Sequence, residues 1–392
     1  MVSIELKLVI ELTVTKIYNN DMSKSNDKSI LFSPIKIGSI EIPNRFVRSA
    51  THEFMAEDDG TPTGRLVDLY GNLAAGGVGL IVTGHAYVHP LGKASPRQTG
   101  IYDDRFVAGL RLVTEAVHTH PSRIFLQIAH AGRQTKPRLA GGTPVSPSPV
   151  YDPSVKLEPR ELAGAEIRAL IEDFVKAAQR AKEAGFDGVQ LHMAHGYLLS
   201  SFISPHVNRR TDEWGGSLEN RARMALDIVR GIKATNGAEF PLIVKLNSTD
   251  FLPDGLQLED SVGVARMLEA AGTDGIEVSG GMAESGRGSV WIGLRAEEDE
   301  GYFVGNAARI KAAVRIPVFG LGGNRTFAVM ERFVAEGKVD LVSLSRPLIR
   351  DPDLIRKFRA GEISKSECIS CNKCFNPRGI SCGDLKEGRP RA

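Results

Sequence analysis

Cysteine is almost missing: of 392 residues only 4 are Cys, and none precedes Cys368. A disulfide-stapled scaffold is therefore excluded as the organising principle of the fold. Tryptophan is as scarce, at 2 residues, and aromatics reach 6%, so aliphatic side chains must build the core. An excess of charge is lacking too, since 49 Lys and Arg face 47 Asp and Glu for a net +2. Polyanion binding through displaced counterions needs more than this, and nucleic acid is not an expected partner. No apolar run approaches the ~20 residues of a membrane span, so no membrane partner is expected either. A secretory leader would show an uncharged core ending at small residues, whereas acids recur through the first residues here. The expected location is cytoplasmic.

What is present is ordinary globular composition, 42% hydrophobic and 24% charged, which excludes fibrous and wholly disordered chains. At roughly 150 residues per domain the length suggests two or three domains, yet one α/β barrel with insertions accommodates most of it. Ile4, Leu6, Leu8, Ile10, Leu12 and Val14 alternate with Glu5, Lys7 and Glu11, the period of a strand. Met22 offers an alternative start, which would make residues 1–21 an added segment; residues 1–30 are read as an N-terminal extension without assigned function.

From Leu31 onward, short apolar runs alternate with amphipathic stretches. The runs are 46–51, 79–84, 123–128, 188–193, 241–247, 275–280, 317–323 and 341–346. Helices are expected over 103–119, 164–184, 217–235, 259–271, 305–314 and 324–336, several closed by Gly185, Gly272 or Gly337. Eight strand-helix units predict an α/β fold, a (β/α)8 TIM barrel over residues 31–360, with an open doubly wound sheet as the alternative. Residues 31–43 carry a hairpin signature around Gly38-Ser39 and should plug the barrel bottom. The segment from Ala131 to Gly164, with Pro137, Pro144, Pro147, Pro149, Pro153 and Pro159, reads as a long ordered loop of the kind that covers a site. Residues 361–392 form a Cys-rich tail.

In such a barrel the chemistry projects from the carboxyl ends of the strands. Gly322 and Gly323 end the seventh run, and Ser345-Arg346-Pro347 ends the eighth. Glycine lets main-chain amides approach an anion and Arg346 can fork two hydrogen bonds onto it, which suits a phosphate; tight turns alone are the competing reading. His192 and His195, followed by Tyr197, end the fourth run. Neutral imidazoles can donate to one carbonyl oxygen and stabilise an enolate, with Tyr197 supplying a proton. A metal site and a pair of satisfied core histidines compete with that reading. Gln127 and Lys245 suit a polar heterocycle with imide edges, although Lys245 also fits a Schiff-base nucleophile or half of a buried ion pair.

At these residues the chain resembles the Old Yellow Enzyme family of FMN-dependent ene-reductases, and more closely its branch with 2,4-dienoyl-CoA reductase and trimethylamine dehydrogenase. The stretches that carry the likeness are LFSPIKIGSIEIPNRFVRSAT, GGVGLIVTG, LQIAHAGR, HMAHGYLLSSFISPHVNRRTDEWGGSLENR and SRPLIRDPDL. The resemblance implies FMN across the barrel mouth, lined by Ser49, Ala50 and Thr51, with Gly84 beside it and Gln127 on the pyrimidine edge. Lys245 falls where the family commonly has arginine, and serine at 345 where many members have glycine. Gly322, Gly323, Ser345 and Arg346 would hold the phosphate, His192 and His195 the substrate carbonyl, and Tyr197 the proton. NAD(P)H would be the reductant and a small α,β-unsaturated carbonyl compound the substrate, with a homo-oligomer as the expected assembly.

Cys368, Cys371, Cys374 and Cys382 are spaced C-x2-C-x2-C-x7-C, which points to metal rather than disulfides in a cytosolic chain. The iron-sulfur branch of the family carries four cysteines for a [4Fe-4S] cluster, and CISCNKC resembles its first three ligands. The short final spacing leaves zinc on four thiolates as the alternative. Larger relatives continue into a flavin and nucleotide domain beyond the cluster. Here either a separate electron-transfer protein or the nicotinamide itself would supply electrons. Three functions therefore stand open: an ene-reductase, an amine-dehydrogenase-like flavoprotein draining electrons to a carrier, and a non-catalytic FMN barrel with a zinc tail.

Overall fold

The structure, a computed structural model, describes residues 25–286 and 288–385; the strand expected over residues 4–14 and the start at Met22 lie outside them. Eight barrel strands follow in chain order: Phe46–Arg48, Leu80–Val82, Arg123–Ala129, Gly188–Met193, Leu242–Asn247, Gly275–Ser279, Val318–Gly320 and Leu341–Leu344. Each pairs in parallel with the next. The eighth returns to the first, with Val342 opposite Phe46 and Leu344 opposite Arg48, which closes the barrel expected from the sequence. The first, second, seventh and eighth strands stop short of their apolar runs because Ser49–Thr51, Thr83–Gly84, Leu321–Gly323 and Ser345 leave the ladder to form the mouth.

Side-chain parity explains the two cores. Along the fifth strand Leu242, Val244 and Leu246 face the helices, whereas Ile243 faces the axis. The hairpin Ile35–Ile37 and Ile40–Ile42 inserts Ile37 and Ile42 among Val47, Leu80, Val82, Phe125, Ile243, Phe319 and Leu341. It seals the bottom, as its sequence predicts. Higher up, the same inward parity brings Gln127 opposite Gln190 and sets Lys245 between His192 and Glu277. The axis is thus apolar below and polar at the mouth.

The crossover helices include Val107–His118, Gly164–Glu183, Leu218–Asn236, Leu258–Ala271, Val304–Lys311 and Phe327–Ala335, close to the expected bounds. Gly272 ends its helix at φ 108 and its N–H caps the Leu268 and Glu269 carbonyls, a backbone conformation that favours glycine. Gly64–Ala75 is additional to the helices the sequence predicts. Its two glycines weaken helix propensity, but Leu66, Tyr70, Leu73 and Ala74 bury one face and packing prevails.

Residues 131–164 send Val145 and Leu162 into the core and are further held by charge. Arg133, fully buried, pairs with the Glu284 carboxylate and lies 3.6 Å from Asp152, while Arg210 donates to the Pro147 and Leu162 carbonyls. The segment contributes no lining to the main cavity, contrary to the expectation that it covers the site.

Candidate active site

The carboxyl ends of the strands open into a cavity of about 1070 Å³, counted to its open mouth. Ser49, Ala50 and Thr51 line it from the first strand end, Gln127 from the third, His192, His195 and Tyr197 from the fourth, and Lys245 from the fifth. Gly323, Ser345 and Arg346 line it from the seventh and eighth. Ser289, Val290, Tyr302, Ser370 and Phe375 close it from above, so the lid comes from the loop after the sixth strand and from the tail.

Lys245 is buried, donates from Nζ to Ser49 Oγ at 2.8 Å and sits 3.2 Å from Glu277 Oε2. Gln190 donates to the same carboxylate at 3.0 Å and accepts from Gln127 Nε2 at 2.7 Å. Burial opposes ionisation of Glu277, but Lys245 and hydrogen bonds from Ser49, Ser343 and Gln190 outweigh it and hold the carboxyl below its ordinary range. Lys245 is thereby half of a buried ion pair. A lysine paired to a carboxylate at 3.2 Å is a poor Schiff-base nucleophile, which disfavours that reading of Lys245.

The His192 and His195 rings meet edge to face with centroids 5.1 Å apart, and the Tyr197 ring lies 4.6 Å from His192. His195 adopts φ 65 and Gly196 follows at φ 85, a tight turn after which both His195 and Tyr197 line the cavity. His195 Nε2 is 2.7 Å from Ser279 Oγ, and His192 Nδ1 is buried without a hydrogen-bond partner among the described residues. Burial, then Lys245, pushes the His195 imidazole down to about 3. Burial, His195, His85 and Lys245 hold His192 well below its ordinary value. Burial lifts the Tyr197 phenol to about 12. Both imidazoles are neutral and the phenol is protonated near neutral pH, as a carbonyl clamp with a proton donor requires.

At the seventh strand end, Gly322 and Gly323 adopt φ 126 and 71. A Cβ on Gly323 would come within 2.3 Å of Leu294 Cδ1, so the closely wrapped turn there needs glycine. Asn324 donates from Nδ2 to the Gly320 and Ser343 carbonyls, which leaves its Oδ1 buried and unpartnered among the described residues. Arg346 Nη1 is committed to the Trp291 carbonyl at 2.9 Å and Asn372 Oδ1 at 2.8 Å, leaving Nε and Nη2 to meet an anion. Ser345 Oγ hydrogen-bonds Thr51 Oγ1 across the first and eighth strand ends.

Residues 30–364 match the model of the NADH:flavin oxidoreductase / NADH oxidase family. The chain belongs to that family. The NADH oxidase of Thermoanaerobacter brockii is 41% identical over 345 residues, covering 87% of this chain and 52% of the relative. The NADPH dehydrogenase of a Geobacillus species is 35% identical, covering 83% and 92%. Among solved structures, a 2-naphthoyl-CoA reductase in complex with 2-naphthoyl-CoA superposes with a TM-score of 0.83 at 32% identity, over 88% of this chain and 54% of that one. The Old Yellow Enzyme homologue of Zymomonas mobilis superposes with a TM-score of 0.75 at 29% identity, over 86% and 95%. The chain spans about half the length of the NADH oxidase it matches. Its barrel is that of the Old Yellow Enzyme family.

In this family member the cavity gathers every candidate catalytic and flavin-binding residue named from the sequence except two. Gly84 lies behind the wall, its N–H bonded to the Glu53 carboxylate at 2.6 Å, and a Cβ there would strike that carboxylate. Gly322 faces Tyr302 instead, 2.8 Å from its amide if a Cβ is built. The sequence reading missed His52 and His85, which line the cavity. Each directly follows the terminal residues of an expected run, so extending the strand-end rule by one position would have found both. Cys368, Cys371, Cys374 and Cys382 share a second, small cavity whose wall includes Arg346 and Arg350. The thiols are not drawn to coordination distance: among the described residues no group of three or more His, Cys, Asp or Glu side chains is placed to hold a metal. Among the described residues, no helix is long and apolar enough to cross a membrane.

Proposed function

We propose that this chain is an FMN-dependent oxidoreductase that uses NAD(P)H to reduce the C=C bond of small α,β-unsaturated carbonyl compounds. The observation that carries the reading is the neutral pair His192 and His195 facing one cavity with the protonated Tyr197. A conjugated thioester carbonyl in the complex of the 2-naphthoyl-CoA reductase lends support to the substrate class.

The residues present fit FMN. Gln127 and Lys245 offer an amide and a cation to an imide edge, the unpartnered Asn324 Oδ1 can accept from a ribityl hydroxyl, and Gly323 with Arg346 suits a phosphate. Bound there, FMN supplies hydride transfer between the nicotinamide and the alkene. His192 and His195 donate to the substrate carbonyl oxygen and hold the charge it acquires as the β carbon gains hydride. Tyr197 gives its phenolic proton to the α carbon. The lid of Val290, Tyr302 and Phe375 narrows the mouth over them.

A second reading is favoured by the tail. Four thiols around one small cavity offer the donor set of a [4Fe-4S] cluster, with tetrathiolate zinc as the alternative. Burial raises the Cys368 and Cys374 thiols, the latter to about 11, so ligation would require their deprotonation. The test is one preparation made without oxygen. Its absorption spectrum, its iron, sulfide and zinc content, and its turnover of NADH with 2-cyclohexenone are measured together. The proposal expects flavin bands and turnover that the His192→Ala/His195→Ala variant loses. Turnover retained in that variant overturns the carbonyl clamp; flavin-free protein that takes up no FMN overturns the whole reading.

A further inference from the structure

His85 was not foreseen from the sequence, and its hydrogen bonds fix its chemistry. It directly follows Gly84 at the end of the second strand and is buried in the cavity wall. Gln98, 1% exposed, stands behind it. The Ala94 N–H donates to Gln98 Oε1 at 2.7 Å, so the amide's oxygen faces Ala94 and its nitrogen faces His85. Gln98 Nε2 donates to the His85 carbonyl at 3.0 Å and lies 2.6 Å from His85 Nδ1. An amide nitrogen has hydrogens and no acceptor, so Nδ1 must accept. The neutral ring then carries its hydrogen on Nε2, and that atom is 3.4 Å from Tyr197 Oη.

We propose that His85 is a positioning residue for Tyr197, donating from Nε2–H to the phenolic oxygen and holding the negative charge that oxygen acquires when its proton leaves. The inference rests on Tyr197 as proton donor in the function proposed above. In the step concerned, the Tyr197 O–H bond breaks, the electron pair of the substrate enolate forms the new C–H bond at the α carbon, and the phenolic electron pair stays on Oη. Water restores the proton afterwards.

The need for such a donor follows from the surroundings. Burial alone drives the Tyr197 phenol upward, so the bare phenolate would be costly in this wall. Besides Tyr197, the titratable groups around His85 are His192, its ring 6.1 Å away, and His52, His195 and Lys245, the last three of which, after burial itself, disfavour its protonation. His85 therefore remains a neutral donor and does not compete with Tyr197 as an acid. His52, with its ring 5.0 Å from His85, is itself tied to Ser95 Oγ at 2.6 Å and so packs beside the pair. The 3.4 Å separation is long, as catalytic hydrogen bonds in ligand-free sites commonly are.

The test is a double-mutant cycle on the full chain loaded with FMN. Flavin reduced with dithionite is mixed with 2-cyclohexenone and its reoxidation followed; reduction of oxidised flavin by NADH is followed separately. A hydrogen bond to a charged oxygen is worth about 10- to 100-fold in rate. His85→Leu should slow reoxidation by that much and slow reduction by NADH far less, with its bound FMN content reporting an intact site. His85→Gln, which keeps a donor, should recover part of the loss. In a Tyr197→Phe background, His85→Leu should slow reoxidation no further. In the apoprotein, the phenolate absorbance that Tyr197→Phe removes should appear at higher pH in His85→Leu than in the unaltered chain. If Tyr197→Phe itself leaves reoxidation unchanged, the proton-donor reading falls and this inference with it. If Tyr197→Phe slows reoxidation but His85→Leu does not, or the two losses multiply, only the role of His85 is overturned.

Discussion

Lys245 carries a cation to the polar layer of the barrel axis, and Glu277 at 3.2 Å cancels most of its field. Neither is solvated, so the pair acts as a dipole fixed beneath the cavity. Replacing Glu277 with Gln keeps the shape and the hydrogen bond from Gln190 but leaves the lysine charge uncompensated. If FMN sits above the pair, its two-electron potential should rise by at least about 30 mV, the equivalent of about 1.4 kcal/mol. Lys245→Met should lower it. A dye-equilibrated redox titration reads both, and equal potentials in all three proteins would remove Lys245 from the flavin's neighbourhood. The cation itself was legible in the sequence, because PLIVKLN places a lysine at the inward parity of an apolar strand. Its neutralisation was not: the acid in GIEVSG is just as visible, but only barrel closure sets Lys245 opposite Glu277. The same holds for His85, whose role depends on Gln98 and Tyr197 reaching it from two other segments.

At the level of elements, the sequence reading put both glycines after the seventh strand into one phosphate seat, while the division of labour between them came only with the structure. Gly323 lines the cavity and Gly322 turns away from it toward Tyr302. At φ 71 an alanine at 323 adopts an unfavourable backbone region, worth about 1 kcal/mol, and its methyl meets Leu294 and Tyr302. Leu294 and Tyr302 must shift to admit it. Gly323→Ala should therefore weaken FMN binding about 10-fold or more and lower apoprotein stability only slightly. Fluorescence titration of the apoprotein with FMN measures the first and urea unfolding the second; unaltered affinity would move the phosphate seat elsewhere. The proline-rich loop shows the opposite limit of sequence reading. Its order was foreseen from its prolines, but part of what holds it is Arg133 pairing with Asp152 and Glu284, and Glu284 is remote in sequence.

For the whole molecule, the barrel was legible because eight buried parallel strands need eight continuous apolar runs, and the crossovers between them keep a helical period. That architecture also gathers imidazoles where water is excluded, with a consequence for stability. Burial, assisted by neighbouring charge or histidines, holds His85 and His192 well below their ordinary value and His130 and His195 near 3. The unfolded chain takes up a proton on each of these near pH 6.5, whereas the folded chain does not. The stabilisation is therefore complete above about pH 6.5 and declines as pH falls toward the folded values. Each such histidine should cost about 2 kcal/mol of folding stability between neutrality and about pH 5. Carboxylates contribute little in that window because most titrate below it. Urea unfolding of the apoprotein at about pH 7.5 and about pH 5 should show this loss, and His195→Gln should reduce the difference by one histidine's share. A stability that does not change across that interval would mean that the imidazoles take up protons inside the folded cavity, and the neutral donors on which carbonyl binding depends would then be charged.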